Sequence, residues 1–151
     1  VYDLLKEKLS PYREMLSYVA EGDLHPGAVT MVISGDRPIK RLLADSVRYM
    51  FLDGRPEDLD SKYMSPENVP FVSSHYRTLI DLSSEGTLNE GERKKLQEFV
   101  SRCHDRGAKV RLWATPEDEE LWRQLLQSGV DLVNTDELER LTKFLKSDYE
   151  H

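Results

Sequence analysis

What the sequence withholds narrows it first. It contains one cysteine, Cys103, which excludes an internal disulfide and any cysteine-based metal cluster. Its apolar runs stop far short of the ~20 residues that span a bilayer, and its first residues lack the charged, apolar, small-residue order of a signal peptide. Positive charge is in deficit: 21 Lys and Arg against 28 Asp and Glu leave a formal net charge of −7. That balance argues against a nucleic-acid footprint. It leaves an anionic small molecule open, because such a ligand needs only local positive charge. Histidine is also scarce, with 4 in the chain. His25, His104 and His151 fall in a turn, a surface helix and the terminus, and only His75 falls at the expected carboxyl end of a strand.

What is present reads as one α/β unit over residues 1–151, a usual length for a domain. The sequence begins at Val1, inside what reads as a helix, so it is expected to be the rear part of a longer barrel domain. Leu5, Leu9, Tyr12, Leu16 and Val19 form one apolar stripe on a helix over residues 1–20, kinked or restarted at Ser10-Pro11. Five strands follow, near 28–33, 48–52, 69–74, 109–113 and 130–134, each succeeded by helix or loop. The run Ala28 to Ile33 is apolar except for Thr30, as in a parallel strand covered on both faces. Asn89 and Glu92 spell a capping box before a helix whose buried stripe is Leu96, Phe99, Val100 and Cys103. Thr115-Pro116-Glu117-Asp118 and Asn134-Thr135-Asp136-Glu137 each open a helix with a capping side chain and early acids.

Such alternation fits two architectures. One is a five-stranded doubly wound sheet; the other is strands four to eight of a (β/α)8 barrel. In both, ligands collect where strands hand over to helices. The residues expected there are Ser34 and Arg37 in SGDRP, Asp53 and Arg55 in FLDGRP, Ser73 and His75 closing the third strand, Trp113, and Asp136. A glycine such as Gly35 lets backbone approach a ligand closely, and an arginine offers a guanidinium to phosphate. Trp113 is expected to be largely buried, with one edge at the pocket mouth. The bland alternatives are a plain turn at 34–38, a local Asp53–Arg55 ion pair, a hydrogen-bonded His75 and a purely structural core Trp113. A strand ending in Asp53 also fits a haloacid-dehalogenase phosphatase, but that family needs a second Asp two residues on, where Arg55 stands.

The order of SGDRP, FLDGRP, a serine-ended strand, LWATP and GVDLVNTD resembles the phospholipase C-like phosphodiesterases. That superfamily of TIM barrels includes glycerophosphodiester phosphodiesterases, phosphatidylinositol-specific phospholipases C and the altered-inheritance-of-mitochondria group, to which DGRP is closest. The resemblance implies cleavage of a phosphodiester by paired histidines, with a divalent metal, calcium or magnesium, held by acidic residues. It places both sets on the early strands, outside this chain. It therefore implies a substrate-shaping half, inactive alone, whose partners are a small phosphodiester or lipid-headgroup substrate and the missing N-terminal half barrel, or a second copy in its place. The reading of a different class is a non-enzymatic α/β binding or assembly module. The compartment is not fixed.

Overall fold

In the first unit, helix α1 (Tyr2–Leu9) presents a single buried residue, Tyr2. Its hydroxyl donates to Asp45 Oδ2 at 3.1 Å, Lys6 Nζ donates to the same carboxylate at 2.7 Å, and the Arg41 guanidinium lies 5.2 Å from the ring centroid. Leu5 and Tyr12 are exposed, so the expected apolar stripe does not form the contact face. A 3-10 turn (Ser10–Tyr12) ends the helix. The segment that the stripe placed on a helix is instead strand β1 (Tyr18–Ala20), antiparallel to β2 (Asp23–His25) on one side and to β4 (Val47–Arg48) on the other. The reversal lies at Glu21 and Gly22, with φ of 55° and 92°. Two consecutive left-handed residues make the two-residue hairpin whose twist matches its strands.

The expected strand at 28–33 shortens to β3 (Met31–Ile33), preceded by an isolated bridge between Leu16 and Val29. β3 pairs in parallel with β5 (Met50–Gly54), Val32 opposite Phe51. The strand buried on both faces is β5; Met31 and Val29 on the first strand remain exposed. Between them lies α2 (Ile39–Leu43), with Leu42 buried. After β5 comes a second 3-10 turn (Pro56–Asp60), which places Leu59 in the core.

The second unit begins within β6 (Phe71–His75) and contains α3 (Tyr76–Leu79), α4 (Glu90–Asp105), β7 (Lys109–Trp113), α5 (Glu119–Gln127), β8 (Leu132–Val133) and α6 (Leu138–Tyr149). α4 buries Leu96, Phe99, Val100 and Cys103, the stripe expected from the sequence. Burial pushes the Cys103 thiol up to about 12, so the thiol stays protonated and inert near neutrality. Only half of the capping box forms: Asn89 Oδ1 accepts from Glu92 N–H, while the Glu92 carboxylate accepts from Asp81 N–H. The cap of α5 is Asp118, which accepts from Leu121 N–H at 2.9 Å; Thr115 reaches the carbonyl of Asn134 instead. β7 and β8 are parallel, Arg111 opposite Leu132 and Leu112 opposite Val133. Trp122, Leu141 and Phe144 form a cluster with Leu126 and Val133 on the helix-covered side of β8.

The computed structural model describes residues 1–83 and 85–149, and His151 lies outside them. The two units comprise Val1–Phe71 with Arg106–Ala108, and Val72–Asp105 with the chain from Lys109 onward. The chain is α/β, with a five-stranded parallel sheet in the order β3-β5-β6-β7-β8 and a separate antiparallel sheet in the order β2-β1-β4.

Candidate functional site

In the first unit the strand ends carry a polar network. Ser34, just past β3, donates its hydroxyl to Asp53 Oδ2 at 2.7 Å. Asp53 is buried, and its Oδ1 finds no partner among the described residues. Arg37 donates to the Asp53 carbonyl at 2.8 Å and forms an ion pair with Asp58 from which solvent is nearly excluded. Asp58 also accepts from Arg55 N–H and from the Tyr63 hydroxyl. Burial pushes the Asp58 carboxyl up, but the bonds from Arg37, Tyr63 and the Arg55 amide outweigh it and hold the group below the usual carboxylate range. The Arg37 guanidinium is thus occupied inside the protein. The exposed Arg55 guanidinium donates to Gly35 O at 2.8 Å, so the turn is tied by a backbone contact and not by an Asp53–Arg55 pair. Gly35 has a φ of 73° with open space where a Cβ would stand.

In the second unit β6, β7 and β8 present a different set. Alternation along β7 buries Val110 and Leu112, so Arg111 and Trp113 occupy the opposite face. The Arg111 guanidinium donates to Asn134 Oδ1 at 2.7 Å and, at 3.5 Å, to the buried Ser73 hydroxyl. Two residues further along both strands, the His75 and Trp113 rings meet edge to face with centroids 4.6 Å apart. His75 also packs on Tyr76, and its Nδ1 accepts from Arg77 N–H at 3.2 Å, capping α3. Trp113 is 41% exposed, which corrects the expectation of a largely buried ring. The core tryptophan is Trp122.

Beyond Trp113 the chain turns through Ala114, whose φ of 60° is costly for a residue with a Cβ. Thr115 then meets the carbonyl of Asn134. Glu117 accepts from the Thr135 hydroxyl at 2.6 Å and from Asp136 N–H at 2.7 Å, joining the loops after β7 and β8. Asp136 is exposed and lines a shallow groove with Glu137, Leu138, Arg140 and Lys143, a lining that includes neither Trp113 nor His75. Arg111 is the residue that sequence reasoning missed. Its signal was present: it is the cation between two apolar residues of an alternating strand, on the face of Trp113.

Among the described residues no group of three or more His, Cys, Asp or Glu side chains is gathered as a metal ion would need. The residues here do not fit a metal centre. No helix among them is long and apolar enough to cross a membrane.

Residues 109–139, from β7 to the start of α6, match the family model of the glycerophosphoryl diester phosphodiesterase family. The similarity is to glycerophosphodiesterase-like proteins. The chain is also 28% identical over 121 residues to the altered inheritance of mitochondria protein 6 homolog of Arthroderma benhamiae, covering 75% of this chain and 38% of that protein. It is 30% identical over 136 residues to altered inheritance of mitochondria protein 6 of Eremothecium gossypii, covering 77% of this chain and 34% of the relative. The chain thus spans about a third of the length of the curated relatives it matches. No solved structure matches it significantly.

Proposed function

We propose that this chain is the substrate-shaping C-terminal portion of a phosphoric diester hydrolase acting on glycerophosphodiesters or phospholipid headgroups. The observation that carries the reading is a coincidence of place: the segment matching the phosphodiesterase family, 109–139, is the one that supplies Arg111, Trp113 and Asn134 to the strand-end cluster. The strand order supports it, since consecutive strands of a barrel lie side by side in sequence order whereas a doubly wound sheet reverses direction. Paired catalytic histidines and any calcium or magnesium would be supplied by residues outside this chain. In the second unit Trp113 and His75 offer apolar ring surface to the carbon frame of a headgroup, with Ser73 beneath, and Asp136 stands at the loop rim. In the first unit Ser34, Asp53 and Arg55 are the candidate ligand contacts, and Arg37 fixes their loop.

The test uses a longer form of the protein that includes the preceding strands. It is expected to hydrolyse glycerophosphocholine or glycerophosphoinositol, and Trp113→Ala is expected to lower kcat/KM on the order of 10-fold or more, the scale of a lost aromatic contact. Because the ring is half exposed, the melting temperature should move little. Unchanged catalytic constants in the variant would remove Trp113 from the site.

A non-enzymatic α/β binding module is favoured by one observation: His75 at the end of β6 and His104 on α4 both hold structural bonds, His75 to Arg77 N–H and His104 to Asp131 at 2.8 Å. No hydrolysis of either diester by the longer protein would select that reading.

The half-barrel reading also forecasts association. β3 and β8 end the strand order, and Met31 and Val29 are exposed beside the first of them. Open edges recruit further strands. Light scattering on the isolated chain should therefore show dimers or larger species; a sharply melting monomer at micromolar concentration would contradict it.

A further inference from the structure

The geometry points to a site for a phosphate-type oxyanion at Arg111 on β7, held by Ser73 and Asn134; it rests on the phosphodiesterase reading and names the residue that would take the substrate's charge. Arg37, Arg41, Arg123 and Arg140 each pair with a carboxylate in this acidic chain. Arg111 does not. The partners of Arg111 are a hydroxyl and an amide oxygen, both neutral, and no acid reaches it among the described residues. A partly buried guanidinium gives up water without gaining a counter-charge, an arrangement that an arriving anion would relieve.

The two neutral acceptors fix the plane of the fork from β6 on one side and from the end of β8 on the other. Of the five N–H donors of a guanidinium these two bonds use two, and the others remain in a rigid plane of the kind that suits the oxygens of a tetrahedral anion. Alternation puts Arg111 on the same face as Trp113, so a ligand whose charge sits on the guanidinium can rest its carbon frame on the ring. Asn134 is well chosen for such a site. An aspartate there would neutralise the guanidinium and compete with the ligand, whereas the amide orients it and leaves its charge free.

The experiment titrates the full chain with dimethyl phosphate and, separately, with inorganic phosphate, following the melting temperature and heat of binding. Saturable stabilisation by either is expected. Preference for the diester assigns a lipid or glycerol headgroup, and preference for inorganic phosphate assigns the free anion. Arg111→Gln should weaken the preferred ligand on the order of 10-fold or more, as expected for a lost charge-assisted bond. Arg111→Lys should weaken it less, and Lys94→Gln, which removes the same charge from the exposed side of α4, should change nothing. Asn134→Asp keeps the arginine and supplies a counter-ion: it should raise the melting temperature of the free chain while abolishing binding, a combination that a purely structural role for Arg111 does not produce. Undiminished binding in Arg111→Gln or Asn134→Asp, or no binding by the unaltered chain, overturns the site. Hydrolysis is not read here. An Arg111-dependent anion site in a protein whose longer form cleaves no diester would leave this inference standing and remove the enzymatic one.

Discussion

Replacing Asp58 by Asn is expected to cost about 3–5 kcal/mol, because it strips the partner from an arginine buried with it. Arg37 has no water to return to, and the same carboxylate also ties the Arg55 amide and the Tyr63 hydroxyl, so three donors lose charge-assisted acceptors at once. The loss should depend on pH in a defined direction. The folded Asp58 carboxyl lies below its ordinary value, so its contribution is fully present above the unfolded value of about 4 and disappears as pH falls through the lower folded one. Urea unfolding of the two proteins should differ by the full amount near neutrality. The gap should close in acid, as the native carboxylate is protonated. A gap of equal size at about pH 3 and pH 7 would show that the charge is not what matters. Asp45, held low against burial by bonds from Lys6 and Tyr2, adds an acid-sensitive contribution of the same sign.

Trp122→Ala is expected to remove about 3–5 kcal/mol, a large part of the ~5–15 kcal/mol that holds a domain together. The indole is fully buried, its ring centroid is 5.7 Å from that of Phe144, and Leu141, Leu126 and Val133 close around it. Removing it empties the centre of the contact between α5, α6 and β8. The melting temperature should fall on the order of 10–20 °C. Trp122→Phe is the informative companion: the indole N–H is buried without an acceptor among the described residues, so phenylalanine removes an unsatisfied donor while keeping most of the apolar surface. Its cost should be well below that of alanine. Equal losses for the two variants would mean that the bulk of the second ring, and not burial of apolar surface in general, holds the cluster.

The elements that could be read from sequence are those whose burial follows their own period. α4 is amphipathic at helical spacing and formed as expected, and β5, β6 and β7 were close to their expected positions. The first twenty residues failed for a specific reason. Leu16 and Val19 are both buried, and their spacing suits a helix, but Leu16 is held by its bridge to Val29 and Val19 by a hairpin whose turn uses Glu21 in a left-handed conformation that its side chain does not advertise. The double burial assigned to the first strand belongs to β5, because coverage depends on position in the sheet and not on apolar content alone. The candidate site divides the same way. Ser73, His75 and Trp113 were visible as strand ends, whereas the Arg37–Asp58 pair joins residues far apart through a stretch with no periodicity. The error over Trp113 was avoidable: if Val110 and Leu112 point into the core, Trp113 cannot.

The cap on α3 fixes the tautomer of His75. Since Arg77 N–H must donate to Nδ1, that nitrogen carries a lone pair, and the neutral ring bears its proton on Nε2. Towards a ligand the imidazole is then a hydrogen-bond donor, suited to a phosphoryl oxygen and unsuited to taking a proton from an attacking hydroxyl. Acting as a base at that edge would require the ring to exchange its proton to Nδ1 and to release the first turn of the helix that follows it.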